Sequence, residues 1–131
     1  MKILVDTCIW SAVLRYKNPD IKITKRLKDF VTDGLVTIIG PIRQELLSGI
    51  SSLKLFNSLN GYLSPFEDIS LKSIHFVKAA EFSNTCRNQG IQGSTIDYLI
   101  CSVAHLENLI IYTTDKDFEN YKNFLPIKII K

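Results

Sequence analysis

The sequence predicts an α/β fold in which a parallel β-sheet is covered by helices on both faces. Short apolar runs rich in β-branched residues predict strands at residues 2–5, 35–39, 109–112 and 127–130, with a weaker candidate at residues 65–69. Each run is apolar on both faces, which is typical of parallel strands buried between two layers. The segments between the runs have helical spacing, as in three-layer α/β/α sandwiches.

Helix boundaries follow from the glycine, proline and capping residues between the strands. The predicted helices cover residues 21–33, 41–48, 70–88 and 94–107. Gly34 and Gly49 directly follow two of these segments, and Pro41 stands at a first-turn position of one. No repeat or change of composition suggests a linker, so we expect a single domain over residues 1–131.

Composition and cysteine usage narrow the class of protein. The 131 residues are enough for a core without disulfides, and no run reaches the roughly 18 apolar residues of a membrane span. The first apolar run, residues 3–5, is shorter than the roughly 7 to 15 residues of a secretory signal. Cys8, Cys86 and Cys101 form no C-x-x-C pair, which disfavours a disulfide framework or zinc site. We expect a cytoplasmic protein that does not enter a membrane.

Four acidic residues lie where predicted strands end or the following helices begin: Asp6, Glu45, Asp97 and Asp115. In open α/β sheets, ligands bind in the crevice outside the carboxyl ends of the strands, so we expect these side chains to converge. Carboxylates at close range repel one another, and a divalent cation relieves that repulsion at neutral pH. Oxygen ligands suit Mg²⁺ or Mn²⁺, which lowers the pKa of a bound water and screens charge on a phosphodiester undergoing hydrolysis.

Each acid also has a purely structural interpretation. Asp97 stands three residues after Ser94, which is the spacing of a capping box. Asp6 and Asp115 are also suited to cap the helices that follow their strands, because aspartate is among the best N-cap residues. Glu45 lies at the edge of an apolar helical stripe, where a solvated glutamate is the commoner outcome. The metal site is therefore predicted by the set of acids rather than by any one of them.

Four short motifs carry these acids. They are ILVDTC at residues 3–8, QELLSGI at 44–50, GSTIDYLI at 93–100 and YTTDKDF at 112–118. In this order and spacing, over essentially the whole chain, they resemble the motifs of PIN-domain ribonucleases, specifically the VapC-like toxins of bacterial toxin-antitoxin modules.

The resemblance implies a central five-stranded parallel sheet, endonucleolytic cleavage of RNA with one or two Mg²⁺ or Mn²⁺ ions, a homodimer, and an antitoxin that blocks the acidic pocket. Carried over residue by residue, it makes Asp6 and Asp97 the metal ligands. Glu45 and Asp115 are then expected to hold water molecules of the metal or a second ion.

Further residues near the acids have supporting functions in this interpretation. The resemblance implies that Thr7 positions the Asp6 carboxylate or the scissile phosphate, and that Asp117 is a fifth acid of lower rank. Arg15 and Lys17 follow the start of the first helix, close to the predicted pocket. As cations near an anionic substrate, they are candidates for contacts with RNA phosphates.

Two other functions compete with the nuclease. Phosphoryl transfer on a covalent aspartate also places an acid after a parallel strand, but haloacid-dehalogenase phosphatases need a second acid two residues later, where this chain has Cys8. Receiver domains need an early acidic pair and a late strand-end lysine, which are not found here. A non-catalytic PIN-like module that binds RNA or protein would be indicated by the loss of an acid. All four are present, which favours the enzyme.

Overall fold

Four parallel strands form the central sheet of the described residues. The computed structural model describes residues 1–15 and 18–131. Its strands are β1 (Lys2–Val5), β2 (Val36–Thr37), β3 (Leu109–Tyr112) and β4 (Ile129–Ile130). Their spatial order is β2-β1-β3-β4, and every pair is parallel. The predicted α/β fold with a parallel sheet is confirmed.

Seven helices lie between these strands in the part of the chain that the structure describes. They are α1 (Thr7–Leu14), α2 (Ile21–Thr32), α3 (Gly40–Leu47), α4 (Leu53–Leu63), α5 (Ser73–Asn88), α6 (Thr95–Leu106) and α7 (Asp117–Lys122). The four helices predicted from the sequence correspond to α2, α3, α5 and α6. Within residues 1–15 and 18–131, none of the helices has both the length and the apolar character needed to cross a membrane.

The central strand β1 is covered on both faces. Ile3, Leu4 and Val5 are each 0% exposed. Because successive side chains of a strand point to opposite faces of the sheet, three buried neighbours require packing on both sides. This burial agrees with the predicted three-layer arrangement.

The weaker strand predicted at residues 65–69 does not form. In place of the expected strand pairing, the structure has one parallel bridge, between Ile38 and Asp68. The Arg43 guanidinium donates to the Phe66 carbonyl and to the Asp68 carboxylate, so this segment is held by a side chain as well as by the sheet. Where five strands were expected, the described residues have four strands and one bridge.

The strand order reverses between β1 and β3. β2 lies on one side of β1, whereas β3 and β4 lie on the other. Ligand sites in open α/β sheets form outside the carboxyl ends of the strands at such a reversal. The register pairs Val5 with Tyr112, so the next residues of the two strands, Asp6 and Thr113, leave the sheet side by side.

Gly34 ends α2 in a left-handed backbone conformation, with φ of 68°. Its N–H donates to the Val31 carbonyl at 3.0 Å, and the Leu35 N–H donates to the Phe30 carbonyl at 3.0 Å. These two hydrogen bonds form a Schellman motif, which satisfies carbonyls at the helix end. The helix stop predicted at Gly34 is therefore present, and it directs the chain into β2.

Alanine substitutions at Gly34 and Gly61 are expected to change stability in opposite directions. Neither new Cβ has an atom within 4 Å, so the difference comes from the backbone. Gly34→Ala forces alanine into the left-handed region at a cost of about 1–2 kcal/mol. Gly61→Ala, inside α4, is expected to stabilise the protein by about 0.5–1 kcal/mol. Urea unfolding measures both, and shifts of the same sign would contradict this account.

Candidate metal centre

Asp6 is held rigidly at the carboxyl end of β1, where it is the N-cap of α1 and only 6% exposed. Its Oδ1 accepts a hydrogen bond from the Thr7 N–H at 2.8 Å, and its Oδ2 accepts one from the Thr113 hydroxyl at 2.8 Å. The Cys8 thiol lies 3.6 Å from the same Oδ2. Asp6 is therefore a helix cap, as one interpretation of the sequence predicted, and its carboxylate is also fixed to the segment that follows β3.

Asp97 is placed by the first turn of α6. Its backbone N–H donates to Ser94 Oγ at 3.1 Å, which caps the helix. Its carboxylate Oδ2 accepts a hydrogen bond from the Tyr121 hydroxyl at 2.7 Å. The cap at Ser94 thus uses the backbone of Asp97, while the carboxylate interacts with a residue of α7.

Asp115 and Asp117 follow β3, and local hydrogen bonds link them to each other and to Thr113. The Asp115 N–H donates to Thr113 Oγ1 at 3.0 Å, and the Asp117 N–H donates to Asp115 Oδ1 at 2.9 Å. One carboxylate oxygen from each of Asp97, Asp115 and Asp117 lies within 4.8 Å of the other two. These three residues are called the acidic triad below.

Burial and mutual repulsion raise the pKa of two acids at this edge. Burial is the largest effect on Asp6, where hydrogen bonds from Thr113, Thr7 and Cys8 lower the pKa and the charge of Asp115 raises it. Burial is likewise the main reason that the pKa of Asp97 is raised, and the charges of Asp6 and Asp115 add to it. The Tyr121 hydrogen bond opposes that shift. Asp6 thus interacts electrostatically with the triad.

Glu45 is not a member of the acidic triad. It is an exposed residue of α3, the helix after β2. The acids that the structure brings together are instead Asp6 and the triad, which includes Asp117. Sequence reasoning ranked Asp117 below Glu45, because the position of this fifth acid varies more in the family pattern.

The guanidinium of Arg15 contacts the end of α3. It donates to the carbonyls of Leu46 and Ser48 at 3.1 and 3.2 Å. In this position Arg15 holds the helix that carries Glu45, and its charge is favourable at a helix C-terminus. Lys17, the other candidate for phosphate contact, lies outside the described residues.

Thr7 offers a hydroxyl beside Asp6. The Thr7 Oγ1 atom is buried and has no hydrogen-bond partner among the described residues. Burying a hydroxyl without a partner is costly, by about 1–3 kcal/mol in proteins. The backbone N–H of Thr7 already orients Asp6, so the hydroxyl is available to another oxygen atom.

Thr113 and Tyr121 were missed by sequence reasoning. Thr113 is 2% exposed and links Asp6 to the Asp115 backbone, and its position directly after a strand was a signal that could have been used. Tyr121 had no such signal, because its hydrogen bond joins it to an acid 24 residues earlier.

The side chains at this edge fit a hard divalent cation. All donors of the triad are carboxylate oxygens, the ligand type that Mg²⁺ and Mn²⁺ favour, and no sulfur or imidazole is among them. Three carboxylates within 4.8 Å of one another carry a repulsion that a bound cation would relieve. The unpartnered Thr7 hydroxyl adds a neutral oxygen next to Asp6.

Solved structures of bacterial proteins have the same fold. FitAcB from Neisseria gonorrhoeae has a TM-score of 0.81 at 18% sequence identity, with 98% of this chain and 96% of that chain covered. VapBC2 from Rickettsia felis, bound to a DNA fragment from its promoter, has a TM-score of 0.79 at 20% identity, with coverage of 99% and 98%. A toxin-antitoxin complex from Klebsiella pneumoniae has a TM-score of 0.69 at 16% identity, with coverage of 99% and 97%.

The sequence itself identifies the family. A comparison with curated proteins gave no significant match. The sequence profile of the PIN domain matches residues 3–123, which includes every acid described above. The resemblance drawn from the four motifs is confirmed, and the chain belongs to the PIN-domain family.

Proposed function

We propose that this protein is a metal-dependent endoribonuclease and the toxin component of a toxin-antitoxin module. The observation that carries the proposal is the acidic triad, with three carboxylate oxygens within 4.8 Å beside the buried Asp6. The triad lies where the strand order reverses, which is the ligand-binding edge of an open α/β sheet. Membership of the PIN-domain family supports the same assignment.

The proposed cofactor is Mg²⁺ or Mn²⁺. Asp6, Asp97 and Asp115 are its proposed ligands, and the position of Asp117 makes it a further candidate. When bound, such an ion lowers the pKa of a coordinated water and screens the charge that develops on the phosphate oxygens. The negative charges of these acids would hold the ion in place next to an anionic substrate.

Other residues of the chain orient these acids and the substrate. The Thr7 and Thr113 donors hold the Asp6 carboxylate in one orientation, with one hydrogen bond to each oxygen. The buried Thr7 hydroxyl is suited to donate to a non-bridging oxygen of the scissile phosphate. Glu45 is exposed on α3, and in this proposal it would hold water molecules of the metal or a second ion.

The proposed partners are RNA, a cognate antitoxin and a second copy of this chain, in the cytoplasm. The shared fold with a toxin-antitoxin complex and with a DNA-bound VapBC complex supports an antitoxin partner. We propose that residues 1–131 act as one PIN domain, and that an antitoxin blocks access to the acids.

Cleavage of total bacterial RNA tests the proposed activity. Purified, antitoxin-free protein is expected to give discrete fragments with Mg²⁺ or Mn²⁺ and none with EDTA. Asp6→Asn is expected to cleave RNA at least about 100-fold more slowly, because removing one preorganised electrostatic group from a catalytic site typically lowers the rate by that factor. The matched control is Asp33→Asn. Asp33 is an exposed acid that precedes β2, at the end of the sheet opposite to Asp6, and this variant should cleave RNA normally. A folded, Mn²⁺-binding protein that cuts no RNA would favour a non-catalytic binding module.

Metal binding is expected to stabilise the folded protein in a pH-dependent manner. The pKa values of Asp6 and Asp97 are raised above their ordinary value of 3.8, so the folded state binds protons more tightly than the unfolded state. Their contribution to the stability of the metal-free protein is present below that value and is lost as pH rises through the raised pKa values.

Mn²⁺ should therefore raise the thermal midpoint more at neutral pH than at acidic pH, where protons compete for the same oxygens. Thermal unfolding with Mn²⁺ or EDTA measures the difference. Asp97→Asn should be more stable without metal and respond less to it, whereas Asp33→Asn should behave as the unmodified protein does. An equal Mn²⁺ response of Asp97→Asn would remove Asp97 from the metal site.

Glu45→Gln separates metal binding from turnover. Because Glu45 lies outside the acidic triad, its substitution should leave the affinity of the triad for Mn²⁺ nearly unchanged. Loss of a residue that orients water or a second ion should lower RNA cleavage by about 10–100-fold, the usual effect of outer-shell substitutions. Isothermal titration with Mn²⁺ and cleavage assays give the two values. Unchanged cleavage would assign Glu45 to the solvated surface.

A further inference from the structure

The hydroxyl of Tyr121 reaches the candidate metal centre from beneath the surface. Tyr121 belongs to α7 and is 0% exposed, yet its hydroxyl donates to Asp97 Oδ2 at 2.7 Å. Burial raises the pKa of Tyr121, and the Asp97 charge adds to that shift, so the hydroxyl keeps its proton at neutral pH and acts as the donor. A carboxylate with one oxygen bound in this way presents its other oxygen in a defined direction.

The Tyr121 ring is fixed by aromatic packing. Its centroid is 5.2 Å from that of Tyr98, with an interplanar angle of 49°, and 5.2 Å from that of Phe118, with an angle of 76°. Tilted and edge-on contacts at this distance are favourable for aromatic pairs. Phe118 is itself 0% exposed, so the hydroxyl is presented to Asp97 by a buried aromatic group.

Gly93 leaves the space that this arrangement needs. A Cβ atom at position 93 would overlap with the Tyr121 hydroxyl and would lie 2.7 Å from the ring and hydroxyl of Tyr98. Gly93 has no positive φ, so its backbone does not require glycine. Close approach of the two tyrosine hydroxyls is therefore what excludes a side chain here.

Side-chain hydrogen bonds hold the Asp97 carboxylate among like charges. Burial is the main reason that the pKa of Asp97 is raised, and the charges of Asp6 and Asp115 add to it, whereas the hydrogen bonds from Tyr121 and Ser94 lower it. Without the Tyr121 hydroxyl, the carboxylate can rotate away from its charged neighbours. Such a rotation removes an oxygen from the acidic triad.

We propose that Tyr121 is a positioning residue that orients Asp97 toward a divalent cation, and that Gly93 provides the space for its hydroxyl. This inference rests on the metal site of the proposed function. Groups that hydrogen-bond to a metal ligand orient it, and their loss typically lowers metal affinity or activity by about 10–100-fold. Tyr121 acts on Asp97 and not on the substrate.

The test compares Tyr121→Phe with Tyr98→Phe by isothermal titration with Mn²⁺. Both variants keep the aromatic ring and lose one buried hydroxyl. The Tyr98 hydroxyl is hydrogen-bonded to the Cys86 thiol and feels Asp97 only through its charge, whereas the Tyr121 hydroxyl donates directly to the Asp97 carboxylate. Tyr121→Phe is expected to bind Mn²⁺ about tenfold more weakly, and Tyr98→Phe as tightly as the unmodified protein.

Gly93→Ala tests the role of the Tyr121 hydroxyl in a second way. It should also weaken Mn²⁺ binding by displacing Tyr121. Combined with Tyr121→Phe, it should add less than it costs alone, since effects on one shared interaction are not additive and only the contact with Tyr98 remains. Equal Mn²⁺ affinity of Tyr121→Phe and unmodified protein would overturn the inference while leaving the metal site intact. Failure of the unmodified protein to bind Mn²⁺ would overturn both. If Tyr121→Phe does not fold, the affinity of Gly93→Ala decides the matter.

Discussion

The parallel register between β1 and β3 is the constraint on which the acidic centre depends. It pairs Val5 with Tyr112, so Asp6 and Thr113 leave adjacent strands at the same level. A shift of one residue would turn these side chains to opposite faces and break the hydrogen bond that joins them. Because β1 is buried on both faces, a shift along β3 would instead draw the charged Lys2 or Asp6 into the covered part of the sheet, which favours the observed register.

The centre combines charges that oppose folding with neutral donors that hold them in place. Burial raises the pKa of Asp6 and of Asp97, which means that their ionised forms are unfavourable in the folded protein. Hydroxyl groups from two other parts of the chain, Thr113 and Tyr121, orient these carboxylates without adding a positive charge. A lysine or arginine in either place would neutralise the acids and compete with a cation. Neutral donors preserve the negative field that the proposed ion requires.

Much of the fold could be predicted from the sequence, because strand and helix patterns are local. The strands at residues 2–5 and 109–112 and the end of α2 at Gly34 all follow from neighbouring residues. The segment at residues 65–69 was misjudged because the contacts of Arg43, which are distant in sequence, occupy part of it. The convergence of Asp6 with the acidic triad was predictable from strand ends. The exposed position of Glu45 and the contact of Tyr121 depend on how helices pack, which no local pattern encodes.

The outer strands of the sheet are short, and this has a consequence for how the chain behaves at high concentration. β2 and β4 contain two residues each, so the sheet presents little unpaired backbone at its borders. Long exposed borders act as templates for pairing between molecules, which leads to aggregation. The segment around Asp68 also covers part of the β2 border through its bridge to Ile38. The small sheet of this helix-rich protein therefore offers little template for strand pairing between copies at high concentration.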